Sequence, residues 1–297
     1  MAALRALPIP RIVYGTAWKA SRTEELVLQA LNSGFRAIDT AAQPKHYQEH
    51  LVGSAVRKFI STTKEGVKRS DLHIQTKFTS LPGQDPSKGI PYDPNDSLED
   101  QVHSSIASSL KNFTYSDNSA EAPYLDSLVL HSPLPTISET LRVWRVLESY
   151  VPHSIRSLGI SNIYSLPALQ KLYTEAKIKP VVVQNRFCRD LDYGNEIYAF
   201  CKANGIVFQS FWTLTANPDL LRSKTVRTLA ADVGTSEQAA LYALLVGRGG
   251  WSVLNGTTRE ETMKGDLEAL ERIDAWQTGN SARAVELGRE FEGLLEI

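Results

Sequence analysis

The 297-residue chain is poor in cysteine, has no long apolar run and carries no excess of charge of either sign. Its two cysteines, Cys188 and Cys201, are too few for a disulfide-stapled secreted fold and read as buried small side chains rather than as a redox pair. No stretch of about 18 consecutive apolar residues occurs, so no segment is expected to span a membrane. Lys and Arg number 32 against 33 Asp and Glu, for a formal net charge of −1. No basic stripe stands out, and nucleic acid is not an expected partner. The opening MAALRALPIP meets Pro8 and Pro10 before a signal-like apolar core forms, so a cytoplasmic location is expected. Asn95, Asn112 and Asn255 each begin an Asn-x-Ser/Thr triplet, which means little without a leader. Nothing in the sequence bears on oligomeric state.

What is present is a regular alternation. Short apolar runs fall at 11–16, 35–39, 72–78, 124–133, 155–161, 180–185, 206–211 and 251–256. Segments of helical spacing follow each of them, at 23–34, 50–62, 97–113, 138–151, 166–178, 194–205, 223–247 and 259–273. The third of these opens on Ser97 with Asp100 three residues on, a capping pattern. Strands joined by crossover helices are parallel, and eight such units within this length predict an α/β fold, a parallel (β/α)8 TIM barrel, with an extra C-terminal helix at 281–297. The competing open sheet requires a Gly-x-Gly-x-x-Gly turn after its first strand. YGTAWK has one glycine there, and the other dense cluster, GRGG at 247–250, precedes a strand. With no linker, composition shift or internal repeat, residues 1–297 are expected to form one barrel domain.

Residues at the C-terminal ends of barrel strands line the active site in such folds. Read in order, these are Gly15, Thr16 and Trp18; Asp39, with Tyr47 in the loop beyond; Lys77; His131; Ser161 and Asn162; Gln184 and Asn185; Ser210; and Gly256, Thr257 and Thr258.

The segments GFRAIDTA with its following Tyr, QTKF, LVLHSP, LGISN and VVVQN resemble, in this order, the successive signatures of the aldo-keto reductase family. The resemblance spans residues 11 to about 270. It implies NAD(P)H-dependent reduction of a small aldehyde or ketone, with Asp39, Tyr47, Lys77 and His131 as the catalytic set. Hydride addition to a carbonyl leaves an alkoxide that needs a proton. Tyr47 is the expected donor, its pKa near 10 in a free phenol expected to be lowered by the Lys77 ammonium. Asp39 is expected to pair with Lys77, and His131 to hydrogen-bond the carbonyl oxygen. No metal is called for, since the cofactor carries the electrons.

For the cofactor, Asn162 and Gln184, with Ser161 assisting, have the donors and acceptors to match a nicotinamide carboxamide. Thr16 and Asp39 complete that end. A ring-stacking aromatic is implied near the end of the seventh strand, where Gln209 occupies the usual position and leaves Phe211 or Trp212. Phosphate contacts are expected from Ser210, Thr213 or Thr215 and from Gly256 to Thr258 at a helix N-terminus. The cations that commonly hold a 2′-phosphate align with Gly256 and Thr262, leaving Arg259 or Lys264. NADP(H) is the first expectation and NAD(H) the alternative. Trp18, Tyr47, His131, Trp212 and Tyr92, the last in the long loop 80–95, are the candidate substrate walls.

One segment admits two chemistries. In AIDTAAQPKHYQEH, His46, Glu49 and His50 spell His-x-x-Glu-His, a zinc spacing of inverzincin peptidases. The zinc reading lacks a third ligand and leaves Lys77, His131 and Gln184 unexplained. The reductase reading has a difficulty of its own, because Gln43-Pro44-Lys45 lengthens the usual interval between Asp39 and Tyr47. If the loop cannot bulge to seat Tyr47 beside Lys77, the chain becomes a cofactor-binding regulatory subunit with little turnover.

Overall fold

The computed structural model of the protein describes residues 9–63, 66–115 and 122–296. The first eight residues, on which much of the leader reading falls, lie outside that set. Eight parallel strands close into a barrel in sequence order: β1 (Ile12–Gly15), β2 (Ala37–Asp39), β3 (His73–Phe78), β4 (Ser127–Leu130), β5 (Leu158–Ser161), β6 (Val182–Arg186), β7 (Val207–Phe211) and β8 (Trp251–Asn255). Closure is made by β8 on β1, from Ile12↔Val253 to Tyr14↔Asn255. The chain is a (β/α)8 barrel.

The surrounding helices are α1 (Thr23–Asn32), α2 (Glu49–Thr62), α3 (Leu98–Asn112), α4 (Ile137–Glu148), α5 (Leu166–Glu175), α6 (Asn195–Ala203), α7 (Pro218–Leu221), α8 (Lys224–Val233), α9 (Glu237–Gly247), α10 (Glu260–Gly279) and α11 (Ser281–Leu295). Ser97 caps α3 as its spacing predicts, accepting from the Asp100 N–H at 3.2 Å. The stretch 223–247 is two helices, parted at Gly234, whose φ of 69° in the left-handed region stops α8. Ser236 then caps α9 through the Ala239 N–H. The tail helix α11 seats Leu287, Phe291 and Leu295 in the core, and Glu292 holds Arg248 at 2.8 Å. Among the described residues no helix is long and apolar enough to cross a membrane. Both cysteines are free thiols, and burial pushes Cys201 up to about 12.

At the bottom of the barrel, Asp126 just before β4 takes Arg69 at 2.8 Å and Arg156 at 3.0 Å, with the side chains of all three largely covered. Both guanidinium groups lie over the Tyr124 ring, at 4.0 and 3.8 Å. This cluster is at the end of the barrel associated with stability rather than chemistry. Between α2 and α3 the packing leaves no room for an added atom. A Cβ at Gly53 of α2 would stand 2.0 Å from the Asn112 carbonyl oxygen at the end of α3. Because backbone cannot yield as a side chain tip can, Gly53→Ala is expected to cost on the order of 1–3 kcal/mol. Urea unfolding measures it, and a midpoint equal to wild type would mean that α2 and α3 do not meet there.

Candidate active site

The upper interior of the barrel is filled by polar side chains that answer one another. The Lys77 ammonium, fully buried, donates to Asp39 Oδ2 at 2.6 Å and to the Thr40 carbonyl at 2.8 Å. Asp39 Oδ1 accepts from Gln75 Nε2 at 2.7 Å and Gln184 Nε2 at 3.0 Å. The same two amides donate to Gln209 Oε1, at 2.7 and 2.6 Å. The register explains the convergence, since Asp39 pairs with Gln75 and Gln184 with Gln209 on neighbouring strands. Burial pulls the Lys77 ammonium below its ordinary value, and Asp39 opposes that pull.

Tyr47 reaches this floor from the lengthened loop. The Lys77 Nζ stands 5.0 Å from the centre of its ring, and the His131 ring centre lies 6.0 Å away. The loop is braced on several sides. The Ala42 N–H donates to the Lys77 carbonyl at 3.1 Å, and the N–H groups of His46 and Tyr47 both return to the Gln43 carbonyl. Gln43 Nε2 donates to the Gly83 carbonyl at 2.6 Å and Gln84 Nε2 to the Ala42 carbonyl at 2.9 Å. The insertion and the long loop after β3 therefore clasp each other. Glu49, at the start of α2, is buried and accepts from Thr76, Ser109 and Asn112.

The phenol's electrostatics differ from the sequence expectation. Burial, and then the Asp39 carboxylate, push Tyr47 well above its ordinary value. Lys77 directs its hydrogen bonds to Asp39 and Thr40, so it does not lower the phenol as expected. His131 is pulled the other way, to about 3, by burial and then by Lys77. Its Nδ1 lies 2.6 Å from Thr79 Oγ1, a hydroxyl able to donate to it and leave the proton on Nε2.

One cavity of about 1150 Å³ opens over this floor. Trp18, His46, Tyr47 and His131 border one end, with Ser161, Asn162 and Gln184 beside them. The other end runs between the N-termini of α9 and α10, bordered by Ser236, Gly256, Thr257, Arg259 and Thr262.

Comparison with known proteins gives this barrel a family. The pattern of the aldo/keto reductase family matches residues 11–281. The chain belongs to the aldo/keto reductase family. An uncharacterised oxidoreductase of Schizosaccharomyces pombe is 28% identical over 265 residues, covering 88% of this chain and 83% of its own. Glyoxal reductase of Bacillus subtilis is 29% identical over 207 residues, 69% of this chain and 63% of its own. A silkworm (Bombyx mori) aldo-keto reductase in complex with NADP superposes with a TM-score of 0.69 at 20% identity, covering 90% of this chain and 89% of that one. As a member of this family the protein is an NAD(P)H-dependent oxidoreductase, and carbonyl reduction is the family's chemistry.

Against this aldo-keto reductase frame several expected contacts move. Thr16 is buried and donates to the Asp39 carbonyl at 2.9 Å, so it does not border the cavity. Ser210 is buried too, accepting from Trp251 Nε1 and Thr213 Oγ1, both at 3.0 Å. Thr258 lies off the cavity wall, its carbonyl facing Gln29 Nε2 at 3.4 Å. Tyr92 is buried against Phe78, with its hydroxyl on the Thr79 carbonyl at 2.8 Å, because the loop 80–95 folds down instead of overhanging the mouth. The zinc spacing comes apart in space: His46 stacks on Trp18 at 3.6 Å between ring centres, Glu49 faces α3, and His50 is exposed. Residues the reductase reading leaves out are Thr79 behind His131, His46 at the mouth, which the sequence offers only in the zinc spacing, and Ser236 at the N-cap of α9. Phe211 lies two residues beyond Gln209 on the same face of β7, one step nearer the mouth, so it borders the cavity while Gln209 joins the amide floor. Ser236 lies between α8 and α9, so a reading of strand ends passes over it, although its capping pattern is visible in sequence.

Proposed function

We propose that the protein reduces the carbonyl group of a small aldehyde or ketone, with NADP(H) as the preferred cofactor and Tyr47 as the proton donor. The observation that supports this reading is the meeting of Tyr47, Lys77, Asp39 and His131 around one end of a cavity of about 1150 Å³. The donor set fits such a cofactor. Gln184 has both amide protons committed to Asp39 and Gln209, which leaves its carbonyl oxygen for a carboxamide N–H. Asn162 is held by donating to the His131 carbonyl at 2.9 Å and accepting from the Tyr164 hydroxyl at 3.0 Å. Phe211 and Trp212 would flank the ring, Gly256 and Thr257 at the start of α10 would face phosphate, and Arg259 would favour a 2′-phosphate. A bound reduced nicotinamide would supply the hydride.

The chain's own groups handle the proton. Tyr47, kept protonated by its surroundings, gives its hydroxyl hydrogen to the oxygen that gains charge. His131 stays neutral and donates to the same oxygen from Nε2. The Lys77–Asp39 pair forms the floor of the site beneath the phenol.

The test is consumption of NADPH and NADH across a panel of aldehydes that includes dicarbonyls, repeated as a function of pH. With His131 neutral above about 3 and Tyr47 raised, neither group changes protonation in the working range. Turnover at saturating substrate is expected to be level from about pH 5 to about pH 9. A fall through the neutral range would mean that Lys77 does lower the phenol. Tight cofactor binding with no turnover on any carbonyl would favour the regulatory subunit instead.

A further inference from the structure

One cation on the cavity wall has no role in the chemistry above. Arg186 ends β6, two residues beyond Gln184, and so shares its face of the strand. Its guanidinium carbon lies 4.2 Å from the centre of the Trp212 ring. Trp212 is 50% exposed and its backbone is left-handed, with φ at 58°, a conformation that a bulky residue adopts only when its surroundings enforce it. Both side chains border the cavity. The Arg186 Nε is buried without a hydrogen-bond partner, and among the described residues no carboxylate pairs with this guanidinium. Arg259, by contrast, reaches Glu261 at 3.8 Å. The carboxylate nearest the chemistry, Asp39, is already committed to Lys77.

A guanidinium is ionised at any working pH, and an aromatic face answers only part of its charge. What remains is a planar fork of N–H donors, flattened on an indole and presented to a cavity built to receive a ligand. Carboxylate and phosphate oxygens are the groups that such a fork matches. We propose that Arg186, stacked on Trp212, binds an oxyanion of a molecule seated in the cavity, either a carboxylate or phosphate on the substrate or a phosphate of the cofactor. The proposal rests on the cofactor-and-substrate reading of this cavity but not on turnover.

The test reads binding alone. NADP+ is titrated into the full chain by calorimetry, and the NADP+ complex is then titrated with succinic semialdehyde and, as its uncharged counterpart, butanal. Wild type, Arg186→Met and Arg186→Lys are compared, with thermal unfolding as the check that each is folded. If the oxyanion belongs to the substrate, Arg186→Met lowers the preference for succinic semialdehyde over butanal by roughly 10- to 100-fold and leaves NADP+ affinity within about twofold. If it belongs to the cofactor, NADP+ affinity falls by that factor and the preference stays. Arg186→Lys keeps the charge and loses the fork, so it retains part of either effect. NADP+ affinity and aldehyde preference both within about twofold of wild type in Arg186→Met would overturn the proposal. Aldehyde binding without turnover would count against the reductase reading and leave this one standing.

Discussion

Tyr47→Phe is expected to lower carbonyl reduction by roughly 10²- to 10⁴-fold while cofactor affinity stays within about twofold, the range typical of losing a positioned general acid. The substitution removes one oxygen and keeps the ring, so the packing of the insertion loop against Lys77 and His131 persists. No neighbour is placed to replace the lost proton. His131, held near 3, is neutral and can hydrogen-bond but has no extra proton to release. The Lys77 ammonium is directed at Asp39 and Thr40. Steady-state rates for a good aldehyde, with cofactor titration by fluorescence, give both halves of the result. Rates at the wild-type level would transfer the acid role to another group. A parallel loss of cofactor affinity would mean that the hydroxyl holds the loop.

The largest effect on stability is expected at the partner of Lys77. Asp39→Ala leaves a fully buried ammonium without its counter-ion and removes the acceptor shared by Gln75 and Gln184. Breaking a buried pair on one side costs about 3–5 kcal/mol. The double variant Asp39→Leu with Lys77→Met removes both charges, and it is expected to recover most of that loss while staying inactive. Urea unfolding of the two variants separates the cost of an unanswered charge from the cost of lost packing. A single variant within about 1 kcal/mol of wild type would mean that water or a rearranged amide compensates the ammonium.

Much of this was legible in the residues. The alternation of apolar runs and helical segments carries the barrel because each βα unit buries a strand on both faces, and that burial writes itself into composition. Asp39, Lys77, His131, Asn162 and Gln184 can be picked out by position, at or next to strand ends, and the fold brings them to one end of the barrel. What could not be read depends on where side chains turn after the strand ends. Thr16 and Ser210 stand at the right height and point into the wall, since alternation along a strand sends neighbours to opposite faces. Tyr92 looked like a lid residue because its loop is long, yet Gln84 and the hydroxyl of Tyr92 tie that loop down to Ala42 and Thr79. The direction of the Tyr47 shift was missed for a related reason. Spacing brings an amine near a phenol but does not say that the amine's hydrogen bonds are already directed to Asp39 and Thr40.

The amide floor has one more consequence. Asp39, Lys77, Gln75 and Gln209 are shut off from solvent, so the vessel is sealed beneath the phenol. On the role proposed for Tyr47, each hydrogen it gives away must be restored before the next cycle, and the residues beneath it have no direct access to water. On that reading, water that renews the proton enters through the mouth, past Trp18 and His46, where the proposed alcohol would also leave. Departure of product and renewal of the acid thus share one doorway.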